Sequence, residues 1–144
     1  MVLINSSWLK LAEVVVDKPW GREDWLVNTS DYCAKILTVN EGKSGSYHYH
    51  KTKRETFLVL EGSAALVLGL DEHWAKVIVM EQGDRYHIPA MTHHLLLGLP
   101  KGPAQVLEVS THHSDDDVVR LLRPSNDLRN TISNNNGNGT IKLL

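Results

Sequence analysis

The sequence predicts an all-β domain, a sandwich or barrel of short strands, on three observations. Runs of about 4–8 residues rich in Val, Ile, Thr, Tyr and Leu recur along the chain, and turn-forming residues interrupt them about every 8–12 positions. No stretch of about 12 or more residues between them carries the 3.6-residue period of an amphipathic helix, which argues against βαβ units. The length, 144 residues, is that of one domain, able to bury roughly 68–70% of its unfolded surface without staples.

The elements follow in order. Met1 to Leu11 contains Asn5 to Ser7 and no basic n-region, so it reads neither as a signal peptide nor as a membrane span. Cys33 to Val39 is the first clear strand and ends at the turn Asn40-Glu41-Gly42. Ser46 to His50 and Glu55 to Leu60 follow, the second stopped by Glu61-Gly62. Ala64 to Leu70 comes next, then Trp74 to Met80, stopped by Gln82-Gly83-Asp84. Arg85 to Ile88, His94 to Leu97 and Ala104 to Ser110 complete the series. A short helix is expected at Ser114 to Leu122, with Ser114 as N-cap and three aspartates in its first turn. From Ser125 the chain becomes Asn- and Gly-rich and loses periodicity. The expected organisation is a single domain over residues 1–124, its barrel at about 33–111, and a flexible tail over 125–144.

Composition narrows the function. Fifteen Lys and Arg stand against seventeen Asp and Glu, a formal charge of -2, with no basic run, which argues against nucleic-acid binding. Cys33 is alone, so an intrachain disulfide and CxxC chemistry are excluded. With no apolar stretch long enough to span a bilayer, no membrane partner is expected and a cytoplasmic protein is the default. Histidine is the outlier, eight in 144, several paired or one residue apart.

His48 and His50 lie two apart, so on a strand both imidazoles enter one space while Tyr47 and Tyr49 turn the other way. Glu55 opens the next run and can return beside them. Two nitrogens and a carboxylate suit Fe, Mn, Co, Ni or Zn with positions open to substrate. A fourth ligand can come from the second cluster, Gly83 to His94, as His93 or His94. Grouping such residues without a metal would strand lone pairs and charge.

These residues also carry a resemblance. Gly42, His48, His50, Glu55 and Gly62 follow the first cupin motif, G(x)5HxH(x)3-4E(x)6G. Gly83, Pro89 and His94 follow the second, G(x)5PxG(x)2H, with Met91 where the family has glycine and Gly98 four after His94 where an asparagine is usual. The resemblance implies a jelly-roll barrel holding one divalent metal by His48, His50, Glu55 and His94. Lys18-Pro19-Trp20-Gly21-Arg22-Glu23, the strand Ala34 to Val39 and Asp115 to Leu121 further resemble the cupin domain of type II mannose-6-phosphate isomerases. In many members that domain follows a sugar-nucleotide transferase domain; the expectation here is the isomerase-like half alone. A homodimer is also implied, with Val14-Val15-Val16 against the partner.

That likeness implies an aldose-ketose isomerase acting on a sugar or sugar phosphate, in which the metal polarises the carbonyl and stabilises the enediolate. A metal-dependent dioxygenase and a non-catalytic sugar-binding module would use the same ligands. Lys35, alternating with Leu37 and Val39, is the first candidate for a polar group facing substrate, and isomerase-like domains carry a lysine at the matching place. His87 is a second candidate for carrying a proton. Arg22, Arg85 and Arg120 are available to a phosphate. Trp20 and Trp25 offer stacking surfaces, whereas His73, His93, His112 and His113 are expected at the surface or in loops.

Overall fold

The computed structural model describes residues 11–69, 74–122 and 140–142. Its strands are β1 (Val14–Lys18), β2 (Gly21–Asn28), β3 (Cys33–Val39), β4 (Tyr47–His50), β5 (Glu55–Glu61) and β6 (Ala64–Gly69). They continue as β7 (Trp74–Met80), β8 (Arg85–Ile88), β9 (His94–Gly98), β10 (Ala104–Ser110), β11 (Val118–Leu122) and β12 (Thr140–Lys142). All pair antiparallel in two six-stranded sheets, ordered β1-β2-β3-β10-β5-β8 and β11-β4-β9-β6-β7-β12. From β3 onward the chain repeatedly crosses from one sheet to the other, the winding of a jelly roll.

Each of the eight strands read from the sequence is present, at or within a residue or two of its expected bounds. The helix expected at Ser114 to Leu122 is not. Ser114 does cap, its hydroxyl accepting from the Asp116 amide, but only one 3-10 turn, Asp115–Asp117, follows. Val118 and Val119 then enter β11 and pair with His50 and Tyr49. Their branched side chains suit a pleated surface, and the edge of β4 offers hydrogen bonds that a lone helical turn does not. The strand β2 carried no alternating apolar signal because its inward residues include a carboxylate, Glu23, paired opposite Leu37. Of the expected tail, Thr140–Lys142 pairs with Trp74–Lys76 on β7. Residues 123–139 and 143–144 lie outside the described residues, as do His73 and the first ten.

The barrel interior changes character along its length. At one end Leu37, Val39, Phe57, Val59, Leu66, Met80, Leu96 and Val106 form the apolar core. Inward positions alternate with outward ones, so moving along a strand by two residues keeps the face. On β3 that step leads from Leu37 to Lys35, on β10 from Val106 to Glu108, and on β5 from Phe57 to Glu55. Register aligns the three changes: Leu37 faces Val106, and Lys35 faces Glu108. Glu108 in turn faces Phe57, and Ser110 faces Glu55. One half of the barrel is therefore apolar and packed, and the other is polar and buried.

Candidate metal centre

β4 and β9 bring the histidines together. His48 pairs opposite His94, so two imidazoles from adjacent strands meet on the inner face, and His50 follows two residues along. Glu55, at the start of β5, approaches from the facing sheet. One ligand atom from each of His48, His50, Glu55 and His94 lies within 4.8 Å of the others, and all but His48 are buried. Glu55 Oε1 stands 2.6 Å from His94 Nε2 and 3.7 Å from His50 Nε2. Neither Glu55 Oε1 nor His94 Nε2 has a hydrogen-bond partner, although both are buried. Unsatisfied polar atoms inside a barrel are costly, and a cation at their meeting point would satisfy them together. The donor set, three imidazoles and one carboxylate, fits a divalent transition ion.

The outer nitrogens fix the tautomer of two of the rings. His48 Nδ1 lies 2.8 Å from the Ser46 carbonyl and His94 Nδ1 lies 2.8 Å from the Thr92 carbonyl. A carbonyl only accepts, so both Nδ1 atoms carry the proton and both Nε2 lone pairs face inward. His50 turns its Nδ1 towards Asp117 Oδ2, 3.6 Å away. Asp117 also accepts from the Thr52 amide (2.9 Å), the Thr52 hydroxyl (2.7 Å) and the Lys53 amide (3.0 Å). It thereby ties the turn between His50 and Glu55 to the start of β11. Sequence reasoning missed Ser46, Thr92 and Asp117, whose partners are distant in sequence or made by backbone.

Electrostatics favours ligation. Burial pushes His48 down to about 3, helped by the neighbouring His94, and pushes His50 down to about 4. Both rings are therefore neutral near pH 7, the form that binds a metal. Burial would raise Glu55, but the Lys53 ammonium against its Oε2 counters that, and the carboxyl is held below the usual carboxylate range. Lys53 Nζ lies 2.9 Å from Glu55 Oε2 and also contacts Glu108 Oε1. Burial pushes the Glu108 carboxyl up, and the nearby Glu55 charge adds to this.

One pocket contains this cluster and a second polar group. Lys35, only 1% exposed, donates to Glu23 Oε2 at 3.3 Å and lies 4.0 Å over the Trp25 ring. Trp25 Nε1 donates to the same oxygen at 2.8 Å, while Lys18 Nζ approaches Glu23 Oε1 at 3.6 Å. Glu23 stays below its ordinary range: burial opposes ionisation, and Lys35 with the other donors outweighs it. The ring edge of His113 meets Trp25 with centroids 5.0 Å apart. Lys35 thus faces the pocket, as its alternation with Leu37 and Val39 suggested. Glu23, His113 and Lys53 went unrecognised. Their residue types, a carboxylate, an imidazole and an ammonium, read in sequence as solvent-facing.

Other candidates are placed elsewhere. His87 is exposed on the outer face, its Nδ1 3.2 Å from the Thr56 hydroxyl, and does not line the pocket. Arg85 is exposed on the same strand, and Arg22 pairs with Asp24 at 3.2 Å; neither lines the pocket. Arg120, opposite His48 on β11, does line it. His93 packs against Tyr49 and Tyr47 with centroids 4.8 and 5.8 Å away, so His94 is the one that turns inward. His112 places Nδ1 2.7 Å from the Thr29 carbonyl. Trp20 packs against the apolar core and also lines the pocket.

Comparison with known proteins agrees with this fold. Residues 8–123 match the family described as mannose-6-phosphate isomerase C-terminal. A Vibrio cholerae protein carrying the name mannose-1-phosphate guanylyltransferase is 30% identical over 106 residues, 72% of this chain and 22% of its own length. The mannose-1-phosphate guanylyltransferase RfbM of Salmonella typhimurium is 25% identical over 112 residues, 76% of this chain and 22% of its own length. The chain thus spans only about a fifth of these relatives. Among solved structures, the capsular polysaccharide assembling protein CapF of Staphylococcus aureus superposes with a TM-score of 0.69 at 18% identity, over 78% of this chain and 35% of its own. Bacillus subtilis oxalate decarboxylase gives 0.67 at 18% identity, over 76% of this chain and 30% of its own. At these identities the structural matches establish the cupin fold and nothing finer.

Proposed function

Because the chain belongs to the mannose-6-phosphate isomerase C-terminal family, we propose that it is a metal-dependent aldose-ketose isomerase acting on a sugar or sugar phosphate. The observation that carries this reading is the shared pocket. Three inward imidazoles and Glu55 line the same cavity as the buried Lys35–Glu23 pair. His48, His50, Glu55 and His94 would hold one divalent ion, of the class Zn, Mn, Fe, Co or Ni. When bound, such an ion polarises a carbonyl and stabilises the negative charge that develops as a proton moves between C1 and C2.

The chain's own residues do the rest. Lys35 presents a buried ammonium that can give a proton to a substrate oxygen, and Glu23 with the Trp25 face holds it in place. Trp20, which lines the pocket, supplies apolar surface for a sugar ring, whereas Trp25 lies outside the lining and backs Lys35. Arg120, which like Lys18 lines the pocket, is suited to an anionic group such as a phosphate. The packed core behind the site excludes water from its floor.

Two other readings remain distinct by experiment: a metal-dependent oxygenase, and a sugar-binding module without turnover. Purified protein loaded in turn with Mn, Co and Zn is offered a panel of aldoses and aldose phosphates. Interconversion with the ketose and no oxygen uptake is expected, lost in Lys35→Met at unchanged metal content. Oxygen consumption would favour the oxygenase, and saccharide binding without conversion the module. The single domain over residues 1–124, the homodimer and the cytoplasmic setting belong to the same proposal. No helix among the described residues is long and apolar enough to cross a membrane.

A further inference from the structure

Glu55 divides its two oxygens between different partners. Oε2 accepts from Lys53 Nζ at 2.9 Å, whereas Oε1 points among the His94 and His50 Nε2 atoms, 2.6 and 3.7 Å away. Lys53 is itself only 3% exposed, and its ammonium also contacts Glu108 Oε1 from the neighbouring strand β10. A lysine and two carboxylates removed from water are expensive, and the arrangement holds only where each charge finds a well-placed partner. A lysine that merely neutralised the site could sit astride both Glu55 oxygens; this one takes the oxygen turned away from the histidines.

We infer that Lys53, braced by Glu108, fixes Glu55 as a one-oxygen ligand and thereby sets how many positions of a bound cation stay open to substrate. The inference rests on the reading that the cluster holds a divalent ion. Four single-atom protein ligands leave about two positions on a six-coordinate ion, the number a substrate needs to bind through two oxygens. With Oε2 released, Glu55 is free to close on the ion with both oxygens, leaving about one. Lys53 and Glu108 touch neither the ion nor the substrate in this scheme. They act on orientation, as partners beyond the ligands commonly do.

The test uses Mn2+ alone as probe. Water-proton relaxivity, which counts exchangeable waters on the ion, is measured for wild type, Lys53→Met, Lys53→Arg and Glu108→Gln, with bound metal quantified by elemental analysis. Relaxivity per bound ion is expected to fall to about half in Lys53→Met and to return towards wild type in Lys53→Arg, which keeps a cation for Oε2. Wild-type relaxivity in Lys53→Met at wild-type stoichiometry overturns the inference. Should Lys53→Met fail to fold, the near-isosteric Glu108→Gln decides: reduced relaxivity supports the brace, and an unchanged value overturns it. Failure of the metal reading looks different. There, wild type binds no Mn2+, or the His48→Ala/Glu55→Ala double variant binds as much, and the inference falls with it.

Discussion

His48 and His94 face one another across the β4–β9 pair, and each donates from Nδ1 to the carbonyl two residues before it, Ser46 or Thr92, at 2.8 Å. The two rings are thus fixed by the same local device, with centroids 4.5 Å apart and both Nε2 atoms turned to the interior. Such orientation lowers the ordering cost of binding a metal.

Removing either ring should therefore remove the site. His94→Ala is expected to lose stoichiometric metal on dialysis, and the His48→Ala/Glu55→Ala double variant to retain none. Elemental analysis after dialysis against a defined metal buffer checks both. Full occupancy in the double variant would sink the ligand assignment.

Asp117 supports the site from outside. Its carboxylate accepts from Thr52 and Lys53 amides and the Thr52 hydroxyl, and lies 3.6 Å from His50 Nδ1. Asp117→Ala leaves those donors without their shared acceptor and should cost about 1–3 kcal/mol in urea denaturation. Metal affinity should weaken by about 10–100-fold. A variant with wild-type affinity would show that the turn positions His50 and Glu55 without it.

Acid should destabilise the metal-free protein. Burial holds His48 near 3 and His50 and His113 near 4, against an ordinary 6.5. Between these values the unfolded chain binds protons that the folded chain does not, so stability falls as pH falls from about 6.5 towards 4. Each such proton contributes at most about 1.4 kcal/mol per pH unit. Glu108, pushed up by burial, acts in the opposite sense but is one group against three. Urea midpoints should be lower at about pH 5 than at about pH 7; equal midpoints would contradict the burial of neutral rings.

The turn before β9 carries local strain. Met91 adopts φ 64 with its side chain 61% exposed, while its amide donates to the His50 carbonyl at 2.8 Å. A left-handed backbone at a side-chain-bearing residue costs roughly 1–2 kcal/mol, so Met91→Gly should gain about 0.5–1 kcal/mol after glycine's greater unfolded entropy. Gly98→Ala goes the other way. Its Cβ would stand 2.0 Å from the Asn40 carbonyl oxygen, a backbone atom that cannot rotate aside. A loss of about 3 kcal/mol or more is expected. Thermal or urea unfolding of the two variants in parallel reads both signs.

Eight of the strands were legible because short apolar runs and turn residues are local signals. The pair His48–His50 was legible for the same reason, since a strand's two-residue period is written in sequence. His93 and His94 could not be separated by spacing alone; the resemblance favoured His94, and the fold turns His94 inward and packs His93 edge-on against Tyr49. The same local rule failed at β2 and at Lys53, where the inward residues are charged and look like solvent-facing ones. It failed at Val118 as well, where capping residues announced a helix and a vacant strand edge won.

By itself, then, the sequence determined the strand series, the types of the candidate metal-binding residues and most of their positions, because periodicity and motif spacing depend on neighbours along the chain. Tertiary structure decided which charges are buried together. Lys35 with Glu23, Lys53 with Glu55 and Glu108, and His50 with Asp117 meet only through sheet register and barrel closure. The energy of a buried charge is set by what closes around it, and that is a property of the folded barrel.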